Sequence, residues 1–188
     1  QAADLLRWSF PDLKLWLHTD ALVTHGWSVP ELAAVWGWND ESLLVTLPSE
    51  LDDAGLAEMY RACSATFAPG LGEGFGYPIV ESLACGTPVV GVDYGGGAEL
   101  IPKQWRVRPA GWRWEGTYCL RRPTLDAEAV AAVLGRAMNW KTQEPEVCRA
   151  YCSGAVEHLR WKYLKHYWLS WVRAGLERLR RKEEESGA

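Results

Sequence analysis

The stretch that most limits how this chain can fold is residues 64–100, "SATFAPGLGEGFGYPIVESLACGTPVVGVDYGGGAEL". Two short apolar runs, "SATFAP" (64–69) and "TPVVGVD" (87–93), each break into a glycine-rich turn, and each turn leads towards a helical stretch. A strand followed by a turn and a helix is the unit of a parallel sheet, because parallel neighbours need a crossover and cannot be joined by a tight hairpin. The same alternation runs upstream. "LKLWLH" (13–18) and "SLLVTL" (42–47) read as strands. "SVPELAAVWGW" reads as a helix with Ser28 as its cap and Pro30 in its first turn, and "DAGLAEMYRAC" as a helix with Leu56, Met59, Tyr60 and Cys63 on one side. The spacing predicts an α/β chain, a Rossmann-like parallel sheet sandwiched by helices. In such sheets ligands sit outside the carboxyl ends of the strands, where both glycine turns fall.

The rest of the chain is less regular. "PIVESLAC" (78–85) is a helix ended by Gly86, and "TLDAEAVAAVLGRAM" (124–138) is a helix with Thr124 as its expected cap. A Trp-rich stretch, 105–121, fits no clear pattern, and residues from about 144 to 182 are helical with few breakers. The expected organisation is a Rossmann-like domain over 1–143 and a helical C-terminal segment over 144–188. "QAADLLRWSF" lacks an initiator Met and reads as the middle of a helix, with Ala2, Leu5, Leu6 and Trp8 on a partly apolar face, as if cut from a longer protein.

Composition narrows the function. A formal net charge of -4 supplies no field for nucleic acid. The five cysteines have neither zinc-site nor disulfide-framework spacing, so reduced thiols in a cytoplasmic setting are expected, and no metal site. No apolar run reaches the ~20 residues that span a bilayer.

Gly70, Gly72, Gly74 and Gly76 alternate, which does not fit a dinucleotide fingerprint, and no Walker lysine follows. The turn offers bare backbone beside a helix start. Pro78 suits the first helical position, and free amides over 76–80, with the helix dipole, favour a diphosphate. Glu73 precedes the helix and Glu81 is expected in its first turn, so both carboxylates can face one crevice and accept from vicinal hydroxyls. A helix cap plus an ordinary surface glutamate is the competing reading of the same spacing.

"MYRACSATFAPGLGEGFGYPIVESLACGTPVVGVDYGGGAEL" (59–100) closely resembles the donor-binding half of retaining GT-B glycosyltransferases of family GT4. The Glu–x7–Glu motif is matched by Glu73 and Glu81, the following apolar run by "ACGTPVV" (84–90), and a later glycine–glutamate element by Gly96, Gly97 and Glu99, one residue closer than usual. The resemblance implies the C-terminal half of a GT-B enzyme. Glu73 would hold the donor sugar, Gly74, Phe75, Gly76, Tyr77 and Pro78 would lie at sugar and phosphate, Glu81 would hold the ribose, and Thr46 and Leu47 the base. It also implies a nucleotide-sugar donor (UDP, GDP or ADP left open), no metal or other cofactor, and retention by a front-face reaction.

This chain departs from the family at Gly70, where Ser is common, and at "HTD" (18–20), where a glycine-rich turn is common, so that His18, Thr19 or Asp20 would enter the cleft. The family's diphosphate-binding Arg and Lys, and its acceptor-binding domain, precede the point where this sequence starts. Inactivity alone is therefore expected. The alternatives are a non-catalytic nucleotide-sugar-binding module, and an epimerase or phosphorylase on the same architecture.

Near the C-terminus, Trp161, Leu164, Trp168, Val172, Leu176 and Leu179 recur at steps of three and four, with Lys and Arg on much of the other face. The stripe is expected to pack on the protein body, with peripheral membrane contact as the alternative.

Overall fold

The structure is a computed structural model that describes residues 1–20, 28–117 and 119–186. Strand β1 (Leu15–His18) pairs in parallel with β2 (Leu43–Thr46), Leu15 opposite Leu43 and His18 opposite Thr46. Strand β3 (Thr66–Ala68) lies parallel to β4 (Val89–Val92), which pairs on its far side with β5 (Arg106–Val107), also parallel. The parallel expectation holds, with the hydrogen bonds falling into two ladders, β1–β2 and β3–β4–β5. The helices between and after them are α1 (Ala2–Leu6), α2 (Val29–Val35), α3 (Asp53–Ala62), α4 (Tyr77–Ala84), α5 (Gly96–Leu100), α6 (Ala127–Gln143), α7 (Pro145–Ala155) and α8 (Trp161–Ser186). Local signals set several helix starts: Ser28 Oγ accepts from the Glu31 amide, and Asp52 from the Gly55 amide.

Strand β4 is the centre of the core. Val89, Val90 and Val92 are all buried, as a continuous apolar strand with neighbours on both sides requires. Ile79 and Leu83 of α4, Val130, Leu134 and Ala137 of α6, and Cys148 and Cys152 of α7 pack into the same cluster. Leu6 of α1 joins it, whereas Trp8 stands in solvent, so only part of the expected first-helix face is used. Burial pushes both Cys148 and Cys152 thiols up in pKa, which keeps them protonated and unreactive.

A chain of hydroxyls crosses this core. The hydroxyls of Thr66 and Ser82 meet at 2.8 Å, Ser82 Oγ donates to the Thr87 carbonyl at 3.2 Å, and Thr87 Oγ1 donates to the Tyr60 carbonyl. Lys141 Nζ of α6 donates to Thr87 Oγ1 at 2.8 Å and to the Arg61 carbonyl at 3.0 Å. A cation at the carboxyl end of α3 satisfies carbonyls that the helix leaves open. Together these bonds fix α3, β3, α4 and α6 relative to one another. Among the described residues no buried side-chain N or O atom lacks a partner.

The Trp-rich stretch, left unassigned above, passes through β5 into a hairpin, β6 (Gly111–Glu115) antiparallel to β7 (Leu120–Thr124), and two expectations need correction. Thr124 is therefore the last residue of a strand, opposite Gly111, and the cap of α6 is Asp126, whose carboxylate accepts from the Ala129 amide at 2.8 Å. Finally, the stripe on α8 does not pack on the body: Trp161, Trp168 and Leu179 are 65%, 55% and 59% exposed. After the 3₁₀ turn Glu157–Leu159, Arg160 is extended and α8 leaves the surface that α6 and α7 already cover.

Replacing Leu83, which is 0% exposed, by Ala should lower unfolding free energy by about 3 kcal/mol in urea titration. Trp168→Ala on exposed α8 should change it by less than about 0.5 kcal/mol. Equal losses at the two positions would contradict this assignment of the core.

Candidate functional site

Because β3 and β4 are parallel neighbours, Ala68 opposite Gly91, the chain leaves both at the same sheet edge. After β3 it forms the turn 69–76 and enters α4; after β4 it turns at Asp93–Gly95 and enters α5. The two turns meet backbone to backbone. The Gly96 amide donates to the Glu73 carbonyl at 3.2 Å, and Gly96 backs onto the carbonyls of Gly74 and Phe75.

Gly76 caps α4 with φ +86°, a left-handed conformation that favours glycine. That cap makes Tyr77 the first helical residue and Pro78 the second. Glu81 therefore lies in the second turn of α4, not the first as the spacing suggested. The Gly76 carbonyl accepts from the Ile79 amide at 3.0 Å. Ahead of it, the amides of Gly74, Phe75, Gly76 and Tyr77 donate to nothing among the described residues. They lie at the positive end of α4, where an anion is favoured.

The Glu73 side chain folds back along its own turn: a Cβ built on Gly76 would lie 3.1 Å from Glu73 Oε2, and one on Gly70 would lie 2.6 Å from Glu73 Cγ. Its carboxylate is exposed and accepts no hydrogen bond among the described residues. It is an acceptor held beside open amides. Phe75 and Tyr77 pack edge to face, ring centroids 5.3 Å apart, and both rings are exposed.

Glu81 is half-buried and faces α3, where Tyr60 Oη donates to its Oε2 at 3.1 Å. Burial, then the Glu81 charge and this hydrogen bond, push the Tyr60 phenol well above its ordinary range. Sequence reasoning had placed Tyr60 only on the packing face of its helix. Its hydroxyl is a positioning contact for Glu81, and no local signal reveals a partner 21 residues away.

Thr46 and Leu47 lie at the carboxyl end of β2, in the other ladder. Thr46 Oγ1 accepts from Trp16 Nε1 at 3.0 Å and meets His18 Nδ1 at 2.9 Å, so His18 turns to the strand neighbour. The Leu47 amide donates to Glu50 Oε2 at 2.7 Å. No hydrogen bond or ion pair among the described residues joins Thr46 or Leu47 to the Glu73 turn. The structure thus brings Glu73, Gly74, Phe75, Gly76, Tyr77 and Pro78 into one turn and helix mouth, and sets Glu81 one turn further. A separate apolar cleft of about 230 Å³, lined by Leu15, Leu17, Val29, Leu32, Trp36 and Trp38 among others, contains none of these residues. No group of three His, Cys, Asp or Glu among the described residues is arranged to hold a metal ion.

The Tyr60 geometry makes a pH prediction. The neutral phenol is favoured by the fold, so its contribution to stability is fully present below the ordinary phenol value of 10.0 and is lost as pH rises above it. In a 295 nm titration of the native protein, one of the seven tyrosines should resist ionisation past the point where the others titrate. Tyr60→Phe should abolish that late fraction. Ionisation of all seven together would contradict the Tyr60–Glu81 contact.

Residues 43–105 match the family model described as "Glycosyl transferases group 1". A D-inositol 3-phosphate glycosyltransferase of Thermobifida fusca (strain YX) is 43% identical over 70 residues, which are 37% of this chain and 15% of that protein. The chain spans less than a third of the length of the curated relatives it matches. Among solved structures, the pneumococcal O-GlcNAc transferase GtfA, in complex with UDP and GlcNAc, superposes with a TM-score of 0.66 at 17% identity, covering 93% of this chain and 32% of that one. Anabaena Alr3699/HepE, in complex with UDP-glucose, gives 0.60 at 19% identity, covering 83% and 40%. At such identities the structures speak to the fold alone, and what is shared is the α/β architecture of one part of those longer chains. The group 1 match lies over the strand–turn–helix units that build the glycine edge, from the start of β2 to Trp105 just before β5, and the chain is similar to glycosyltransferases over that stretch.

Proposed function

We propose that the chain is the nucleotide-sugar-binding half of a retaining, metal-independent glycosyltransferase. The observation that carries the reading is an exposed Glu73 carboxylate set in the same turn as four amides at a helix start, none of them with a hydrogen-bond partner among the described residues. Glu73 accepts from donor-sugar hydroxyls, and the Gly74–Tyr77 amides with the α4 dipole hold the diphosphate. Glu81, held by Tyr60, accepts from the ribose hydroxyls; Thr46 and Leu47 lie towards the base. In the transfer step the sugar–phosphate bond breaks with retention at the anomeric carbon. The amides stabilise the charge that develops on the leaving diphosphate, which takes the proton of the acceptor hydroxyl. On this reading the acceptor-binding domain and the family's basic pair lie outside these residues, so this chain alone binds donor weakly and does not transfer sugar. The names of the relatives and structural neighbours, sugar transferases and UDP complexes among them, support a nucleotide-sugar donor.

The two glutamates can be separated by calorimetry with UDP, GDP, ADP and their glucose conjugates. Glu73→Gln should weaken the preferred nucleotide sugar at least about tenfold and leave the plain nucleotide diphosphate unchanged. Glu81→Ala should weaken both. Equal affinities in parent and variants would contradict the roles assigned.

A second reading concerns α8. No helix among the described residues is long and apolar enough to cross a membrane. Helix α8 nevertheless carries seven Lys or Arg against four Glu, in a chain of net charge -4, beside three exposed tryptophans. A cationic helix with an aromatic face complements an anionic bilayer surface, and we assign it peripheral membrane contact. Vesicles of anionic lipid should co-sediment the protein, zwitterionic vesicles should not, and Trp168→Ala should reduce binding several-fold. Binding that ignores both lipid charge and Trp168 would refute this.

A further inference from the structure

The β6–β7 hairpin touches both glycine turns, and this contact extends the donor-site reading, on which it rests. Arg122 of β7 reaches 51 residues back along the chain, where Nη1 donates to the Leu71 carbonyl at 3.1 Å. Its Nε faces Glu115 Oε2 of β6 at 3.6 Å, so the guanidinium bridges the hairpin and the turn. Gly72 makes room for it: a Cβ built there would lie 1.3 Å from Arg122 Nη1 and 2.4 Å from Cζ. The guanidinium occupies the place a side chain at residue 72 would take. On the other strand, Trp112 meets Tyr94 edge to face at 5.3 Å, and the Arg121 guanidinium lies over the Trp112 ring at 4.4 Å. Tyr94 immediately precedes Gly95 and Gly96, the pair that carries the amide bonded to the Glu73 carbonyl. Arg122 therefore holds the first turn and Trp112 the second.

We infer that this hairpin is a clamp on the donor site, and that Arg122 is a positioning residue for residues 71–76. It touches no reacting atom. Its planar fork reaches a carbonyl and a carboxylate at once, which keeps Glu73 and the Gly74–Tyr77 amides in register for the donor. Binding that depends on preformed amides weakens when the turn that carries them is released. A lysine, a single point charge on a flexible stem, cannot bridge the same two partners.

The test uses Arg122→Ala, Arg122→Lys, Gly72→Ala and the Gly72→Ala/Arg122→Ala double variant in the whole chain. Hydrogen–deuterium exchange without ligand should rise several-fold at the Gly96 amide, which the Glu73 carbonyl holds, in Arg122→Ala, with β4 amides unchanged. Affinity for the best of UDP-, GDP- and ADP-glucose should fall about tenfold, Arg122→Lys should restore neither property, and Gly72→Ala should reproduce the loss. The double variant should be no worse than either single one, because both remove the same contact. Unchanged exchange in Arg122→Ala overturns the clamp whatever the ligand result. Faster exchange with unchanged affinity overturns the role in donor binding. Failure of the parent chain to bind any of the three sugars, with exchange still altered, overturns the donor-site reading and this inference with it.

Discussion

The proposed site depends on two parallel strands, β3 and β4, ending side by side and sending their chains away at the same sheet edge. At that edge the Gly96 amide donates to the Glu73 carbonyl, so the two turns meet with main chain on main chain. No side chain fits between them, which accounts for glycine at their point of contact. The same geometry leaves the Gly74–Tyr77 amides at the head of α4, and the Glu73 carboxylate beside them, without a hydrogen-bond partner among the described residues. A group that carries both negative charge and hydroxyls finds complementary partners within one turn of chain.

The support beneath that edge is polar as well as apolar. Thr66, Ser82 and Thr87 form a hydroxyl chain from β3 through α4 to the start of β4, and Lys141 completes it at the end of α3. Buried polar groups are tolerated when every member is paired, and a paired network permits few alternative packings. It therefore fixes α3 against α4, and with them the Tyr60–Glu81 contact. Position at the site is thus inherited from the core.

Features legible in the sequence were those written locally. The alternation of apolar runs, glycine turns and helices gave the parallel strands and the helix order, and Glu73 with its glycines was visible as one continuous turn. What escaped depends on partners distant in the chain. Thr124 looked like a helix cap because nothing near it revealed that it pairs with Gly111. The Trp-Arg-Trp alternation of 112–114 is a strand signal too short to stand out among so many aromatics. Arg122 and Tyr60 act through contacts 51 and 21 residues away. Glu81 passed from the first turn to the second because the helix starts one residue early, at Tyr77, after the positive φ of Gly76, a backbone choice that composition only permits. The stripe on α8 was legible as a pattern, but a pattern does not say what it faces.

The central claim is that the helix mouth at Gly74–Tyr77, and no other surface of the chain, receives the diphosphate. Titrating isotopically labelled protein with UDP, GDP and ADP while following amide chemical shifts tests it most directly. The account predicts that the largest perturbations from at least one nucleotide fall on Gly74, Phe75, Gly76, Tyr77 and Gly96. Perturbations confined to the apolar cleft around Leu32 and Trp36, or no saturable change with any of the three, would contradict it.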